Sequence, residues 1–343
     1  MVDAERLKQL LENSKVKDID GLFNSLKDIK VMIIGDTIID HYVFVHPKGR
    51  AVKDPILSVE YLRDEKYAGG VLAVARHVSD FVDKIKVVTL LGEKEDHHEF
   101  IQDSIKGKNI DMDVFIKPNA FTTVKRRYID YHRGNKLFKI EHIDEKDVDA
   151  QLTKKITEYL IKELPSYDLV MVSDFGHGFL NSELRKVIEE NSKYLTINVQ
   201  SNSSNMGYNY VTRYSKADYL TMNETEIRLP LMMRYEDISE VMKEFSNKTN
   251  FKNYLVTLGR RGSVFSTGEK MHDAPLLATT VVDTVGAGDA VFSFTSLLVF
   301  KKIDHELIPF FANCAGGVAT NIMGNKDSID KESIKKFILA MNA

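Results

Sequence analysis

The chain has 343 residues, of which 43% are apolar and 28% charged, and its formal net charge is −3. That length holds one large α/β domain with a small appendage, or two modest domains, and the apolar share is ordinary for a globular protein. The near-neutral charge, without a dense Lys/Arg stripe, argues against a nucleic-acid partner; no apolar run spans a bilayer, and a single cysteine, Cys314, excludes an internal disulfide and suits a cytoplasmic protein.

Residues 1–28 read as one or two amphipathic helices, with Leu7, Leu10 and Leu11, then Leu22, Phe23 and Leu26, on the apolar faces. Residues 1–11 are charged throughout and lack the apolar core of a signal peptide. Residues 30–35 (KVMIIG) form a short buried strand, the first of a central sheet, with Asp40 one helical turn or one loop beyond it. Strand-like runs follow at 85–91, 114–116, 168–173, 195–199, 219–222, 254–258 and 263–266, and helical stretches at 97–106, 147–163, 181–191 and 235–247 lie among them. Strands separated by helices predict a parallel sheet covered on both faces. Two segments break the rhythm. Residues 56–62 and 121–140 are rich in Val, Thr, Tyr and Phe with near-alternation and read as paired strands, with Arg133-Gly134-Asn135 as a hairpin turn.

The most informative stretch lies near the C-terminus. After a β-branched run at 279–282 comes Asp283-Thr284-Val285-Gly286-Ala287-Gly288-Asp289, and then an apolar helix at 290–300. A Gly-x-Gly turn at a helix start leaves backbone N–H groups unpaired and pointing one way, with the positive end of the helix dipole behind them, which makes a cradle for a transferring phosphoryl group. A carboxylate there is awkward beside phosphate unless it handles a proton, so Asp289 reads as the general base for an attacking hydroxyl. The alternative, a Gly-rich loop with an Asp at the helix start, is common in α/β proteins; the seven-residue context decides for the first.

That run, with Ala290, resembles the C-terminal signature of the PfkB/ribokinase family of small-molecule kinases, and Ala68-Gly69-Gly70 before the helical pattern at 71–81 resembles its N-terminal glycine-pair signature. The resemblance runs from about Lys30 to the C-terminus and is nearest to the branch containing the heptose-7-phosphate kinases. It implies an α/β fold: a ribokinase-like three-layer α/β/α domain over 29–343, a helical extension at 1–28, and a small β-sheet lid from about 41–66 and 119–142, by which two subunits clasp. Gly286, Ala287 and Gly288 would form the anion hole, with Asp289 as catalytic base. ATP and Mg2+ are the implied cofactors, and a monovalent cation is a further candidate.

On the acceptor side Asp36, at the end of the first strand, reads equally as a sugar-hydroxyl acceptor or a helix N-cap, and the resemblance decides for the sugar; Asp40 beyond it, Asp174 at a later strand end, and Gly69 and Gly70, which also suit a tight turn before a helix, are the further sugar candidates. Alternation puts Lys125 and Arg127 on one strand face and Arg126 on the other, so the first pair suits a sugar that already carries phosphate, a solvated strand face being the alternative. On the nucleotide side stand Asn223, Thr257, Gly259, Gly262, Asp283, Asn313 and Gly317, with Glu226 of an NxxE motif holding Mg2+ through water. The NxxE pattern also suits an ordinary helix start, and helix packing is the alternative for Asn313 and Gly317. Three departures look concerted: Ala73 for a usual Asn, His177 for a usual Lys, and Asn198-Val199-Gln200-Ser201-Asn202 for a Val-Asp-Pro-Lys type segment.

The expectation is an ATP-dependent sugar kinase whose acceptor is a heptose 7-phosphate or its like, phosphorylated at the anomeric position for surface-polysaccharide precursors. No HxGH motif appears, so nucleotide activation would need a separate nucleotidyltransferase. The alternatives are a kinase of a neutral sugar or nucleoside, and a non-catalytic sensor of sugar or nucleotide. No GxxxxGK[ST], GxGxxG after the first strand, HExxH or GxSxG is present, which sets aside P-loop, dinucleotide, zinc-protease and hydrolase readings.

Overall fold

The computed structural model describes residues 18–95, 97–276 and 281–341. The chain begins with α1 (Ile19–Leu26), β1 (Lys30–Arg50), β2 (Leu57–Gly70) and α2 (Val71–Val78). Next come β3 (Lys84–Lys94), α3 (His98–Ile105), β4 (Ile110–Phe121), β5 (Thr123–Asp130), β6 (Lys136–His142) and α4 (Ala150–Glu163). The middle holds β7 (Leu169–Asp174), α5 (Ser182–Asn191), β8 (Leu195–Val199), β9 (Tyr219–Asn223), α6 (Glu224–Leu231) and α7 (Ile238–Lys248). The last third is β10 (Tyr254–Thr257), β11 (Ser263–Ser266), β12 (Met271–Ala274), α8 (Ala287–Phe300), α9 (Ile308–Ala319) and α10 (Lys331–Met341).

The central sheet runs β12–β11–β10–β9–β8–β7–β1–β3–β4. It is parallel from β10 to β4, as the alternation of strands and helices predicts, but β11 and β12 pair antiparallel at one edge, so the sheet is mixed. One apolar core contains Leu22, Phe23, Phe81, Phe292, Phe294 and Phe311; a second contains Ile156, Leu160, Leu184, Ile188, Val241 and Phe245. Buried apolar rows on both sheet faces make three layers. Helix α1 puts Leu22, Phe23 and Leu26 into the first core, so this part of the N-terminal stretch packs on the domain; residues 1–17 lie outside the described residues. Among the described residues no helix is long and apolar enough to cross a membrane.

Strand β1 corrects the expectation of a short strand ending at Gly35. The whole strand runs for 21 residues, pairing with β3 up to Asp36 and with β7 up to Gly35, then with β2 from Thr37 and with β5 from Ile38 onward. Asp40 is therefore mid-strand, not on a helical turn or loop. Gly35 is small because a Cβ there would lie 2.1 Å from the Ser173 carbonyl oxygen on β7, so the glycine marks close strand approach and not a turn. The outer half of β1 with β2, β5 and β6 forms the lid, ordered β2–β1–β5–β6. Tyr42, Phe44, Tyr67 and Ile129 give the lid its own small core.

Candidate active site

A cleft of about 900 Å³ lies between the lid and the C-terminal ends of the sheet strands, where ligands bind in open α/β sheets. Helix α8 starts at its floor. Gly286 precedes it with φ 83°, and a Cβ there would come 2.3 Å from Asn325 Oδ1, so only glycine fits the turn. A Cβ on Gly288 would meet nothing within 4 Å, which leaves the first-turn amides approachable from the cleft. Their own helix offers these N–H groups no carbonyl, although Ala287 N donates to Thr284 O at 3.3 Å across the turn.

Asp289, one residue on, is 6% exposed and lines the same cleft. Burial pushes its carboxyl up to about 7; the Gln200 amide and Lys125 pull down, while Asp40 and Glu226 add to the rise. Gln200 Nε2 donates to Asp289 Oδ1 at 2.5 Å. A carboxylate poised near neutrality in a pocket has the proton affinity a general base needs.

The acceptor side is built by the lid and β1. Asp40 accepts from Arg127 Nη1 and, at 2.7 Å, from Asn325 Nδ2. Gly69 is small because the Asp40 carboxylate fills the space a Cβ would need, 2.3 Å away, and Gly70 turns into α2 with φ 60°. Lys125 is 7% exposed and also lines the cleft, yet its ammonium has no ion-pair or hydrogen-bond partner among the described residues. Burial lowers its affinity for a proton, while Asp40 and Glu141 raise it. Arg126 points the other way, its Nε donating to His41 Nδ1 at 3.1 Å, so the alternation is as expected.

Two acceptor candidates lie elsewhere. Asp36 accepts from the Phe175 amide at 2.9 Å and lines a small separate cavity with His177. Asp174 accepts from Gly176 N at 2.8 Å and Tyr214 OH at 2.9 Å, so it shapes the loop after β7 and does not line the cleft. Burial pushes Asp36 up to about 7, with the nearby Asp174 charge adding to it. His177 is held down to about 3 by burial and Lys125, so it is neutral at pH 7; it and Ala73 both stand off the cleft.

At the nucleotide end, Asn223 and Glu226 form a capping box at the start of α6: Asn223 Oδ1 accepts from Glu226 N at 3.0 Å, and Glu226 Oε2 from Asn223 N at 2.8 Å. The ordinary helix-start role is thus real, but Glu226 also lines the cleft, and Oε1 accepts from Ser201 N at 3.1 Å. Burial pushes it up to about 7 against those amides. Among the described residues no cluster of three His, Cys, Asp or Glu side chains has a metal-holding arrangement. A divalent ion here would take most of its ligands from phosphate oxygens and water, and the hard carboxylate of Glu226 fits such an outer contact.

Thr257, Gly259, Gly262, Asn313 and Gly317 line this end as well. Gly262 has φ 88° and no room for a Cβ beside the Ala274 carbonyl; Asn313 Nδ2 donates to Ala274 O at 2.9 Å and Pro275 O at 2.8 Å, so it fixes the wall it belongs to. Asp283 does not line the cleft. It braces the Gly286–Gly288 turn from behind, accepting from Lys136 Nζ at 2.6 Å, Tyr42 OH at 3.1 Å, Val285 N at 3.1 Å and Gly324 N at 3.2 Å. Burial pushes its carboxyl up, but the Lys136 ammonium and these donors outweigh it and hold it below the usual range. Residues 277–280, which include the first half of the β-branched run at 279–282, lie outside the described residues; Val281 and Val282 are not in a strand.

A family profile described as "pfkB family carbohydrate kinase" matches residues 28–323. "Bifunctional protein HldE" of Helicobacter pylori (strain ATCC 700392 / 26695) is 25% identical over 304 residues, covering 86% of this chain and 64% of that protein. The chain thus spans under two thirds of that relative's length. Phosphofructokinase-2 from Escherichia coli in complex with potassium superposes with TM-score 0.72 at 13% identity, covering 92% of this chain and 100% of that one. Ribokinase of Arabidopsis thaliana complexed with ribose and ATP gives 0.69 at 19%, covering 91% and 99%. At such identities the two structures establish a ribokinase-like fold.

Proposed function

This chain belongs to the pfkB family of carbohydrate kinases; we propose that it is an ATP-dependent sugar kinase whose acceptor is a sugar already carrying phosphate, a heptose 7-phosphate or its like, phosphorylated at the anomeric hydroxyl for surface-polysaccharide precursors. The observation that carries the acceptor class is Lys125, a largely buried side chain lining the cleft whose ammonium lies 5.8 Å from the Phe175 ring centroid, with Asp40 and Glu141 near but neither hydrogen-bonded nor ion-paired to it. A buried cation is costly unless paired, and an acceptor phosphate would pair it. Arg127 and Lys139 line the same wall, although Arg127 is already engaged by Asp40.

Asp289 would take the proton of the attacking hydroxyl as the new P–O bond forms and the bond to the ADP leaving oxygen breaks. The first-turn amides of α8, from Gly286 to Gly288, would meet the charge on the transferring oxygens. Mg2+ held beside Glu226 through water would supply charge neutralisation on the triphosphate. Asp40, oriented by Asn325 and Arg127, would accept hydrogen bonds from sugar hydroxyls, and lid closure would exclude water. A monovalent cation remains a further cofactor proposal, motivated by the potassium in the phosphofructokinase-2 structure.

The lid exposes Leu57, Tyr61, Leu62, Phe138 and Ile140, an apolar set that supports pairing of two copies lid to lid, testable by sedimentation of the full chain and of Tyr61→Lys. A separate nucleotidyltransferase is the partner proposed for the following step. The same fold carries ribose in the Arabidopsis ribokinase, and a neutral acceptor is the reading that competes. The test is ADP release with D-glycero-D-manno-heptose 7-phosphate beside ribose, fructose and mannose, with Asp289→Asn as control. Turnover confined to the phosphorylated acceptor supports the proposal; turnover confined to neutral sugars overturns the acceptor and keeps the kinase.

A further inference from the structure

The segment that follows β8 sits against Asp289. Gln200 lines the cleft, and its Nε2 donates both to Asp289 Oδ1 at 2.5 Å and to Asn198 Oδ1 at 2.9 Å. Asn198, 4% exposed, donates its own Nδ2 to the Thr221 carbonyl oxygen at 2.9 Å. A carbonyl only accepts, so Asn198 must turn its amide nitrogen toward Thr221 and its oxygen toward Gln200. Gln200 must then present its NH2, because a flipped amide would set an oxygen against two acceptors. The backbone is held as tightly: Gln200 N donates to Asp174 O at 2.9 Å, and its carbonyl accepts from Asn209 Nδ2 at 3.2 Å.

No other side chain donates to the Asp289 carboxylate among the described residues. Around it stand Asp40 from β1 and Glu226 from α6, whose charges oppose its ionisation, and Lys125 from β5, whose charge favours it. An amide, unlike those groups, neither gains nor loses a proton across the working pH range. It therefore donates at every pH, occupies one carboxylate oxygen, and leaves Oδ2 for the incoming hydroxyl.

Resting on the kinase reading above, we propose that Gln200, oriented by Asn198, is the positioning residue of the base: it fixes the Asp289 carboxylate with one oxygen committed and the other presented to the acceptor.

The test uses full-length protein with 13C-carboxyl aspartate, in which Asp289 is identified by the resonance lost in Asp289→Asn. Gln200→Met keeps the volume and removes the donor, and Gln200→Ala is the second variant. Each is expected to move the Asp289 midpoint upward by about one pH unit, since the lost donor favoured the ionised form. In turnover with ATP and D-glycero-D-manno-heptose 7-phosphate, kcat is expected to fall about ten- to a hundredfold while KM for ATP holds, and Gln200→Met is expected to add nothing to Asp289→Asn. A folded Gln200→Met whose Asp289 titrates as in the wild type overturns the inference, whichever acceptor is used. Asp289→Asn with wild-type turnover overturns the kinase base itself; a dead Asp289→Asn beside a Gln200→Met with wild-type midpoint and rate overturns only the role of Gln200.

Discussion

Replacing the base should make the protein more stable while silencing it. In the fold the Asp289 carboxyl moves from 3.8 to about 7, chiefly because burial penalises the charge. A carboxyl raised in the fold leaves stability intact below its unfolded value and erodes it as pH rises toward its folded value. At about 1.4 kcal/mol per unit, the ionised base costs the free protein about 4 kcal/mol above pH 7, about half of that at pH 5.5, and almost nothing at pH 4. Asn at 289 carries no charge, and its Oδ1 can still accept from Gln200. For a chain of this length about 1 kcal/mol moves the melting temperature by about 1.4 °C, so Asp289→Asn should melt about 6 °C higher at pH 8. The assay is thermal or urea unfolding of both proteins, without nucleotide, from pH 4 to pH 8. A gain that grows with pH and levels above 7 is expected. A gain of equal size at pH 5 and pH 8, or a loss at pH 8, would refute the claim that a buried charge at this position is held against its own stability.

Three further expectations follow from the same geometry. Glu226→Gln should raise the Mg2+ needed for half-maximal rate at pH 8 by about tenfold, and should remove the rise in Mg2+ demand expected of the wild type below pH 7 as Glu226 takes up its proton. Lys125→Met should raise KM for a phosphorylated acceptor by about ten- to a hundredfold and leave KM for ATP unchanged, read by initial-rate kinetics. Gly286→Ala should strain the φ 83° turn and push Asn325 off Asp40, costing about 1–3 kcal/mol in urea unfolding together with a fall in kcat.

What the sequence made legible was local. The glycine turn, Asp289 and the start of α8 occupy one contiguous run, so their mutual geometry is fixed by a few backbone angles. The lid was legible for a similar reason, because β-branched and aromatic alternation at 56–62 and 121–140 is a property of neighbours in the chain. The course of β1 was not. Gly35-Asp36 has the look of a strand end, and only the approach of Ser173 O shows that the glycine lets two strands pack while the chain runs straight on. Asp36 and Asp174 share residue type with Asp40, and nothing in their local sequence reveals that amides and Tyr214 consume their oxygens. Asn325 and Gln200 escaped as site residues because their partners, Asp40 and Asp289, lie 285 and 89 positions away. A departure from the relatives' pattern was the one sequence signal at Gln200, and it pointed to the acceptor although the contact is with the base.

The most direct test of the account is transfer of the ATP γ-phosphoryl group by the full-length wild type and by Asp289→Asn, followed with γ-labelled ATP across the acceptor panel. The account predicts a labelled sugar bisphosphate from the heptose 7-phosphate with the wild type and none with Asp289→Asn, although that variant folds and still binds nucleotide. Equal labelling by the two proteins would contradict it, because the cleft would then be transferring phosphate without the carboxylate around which it is built.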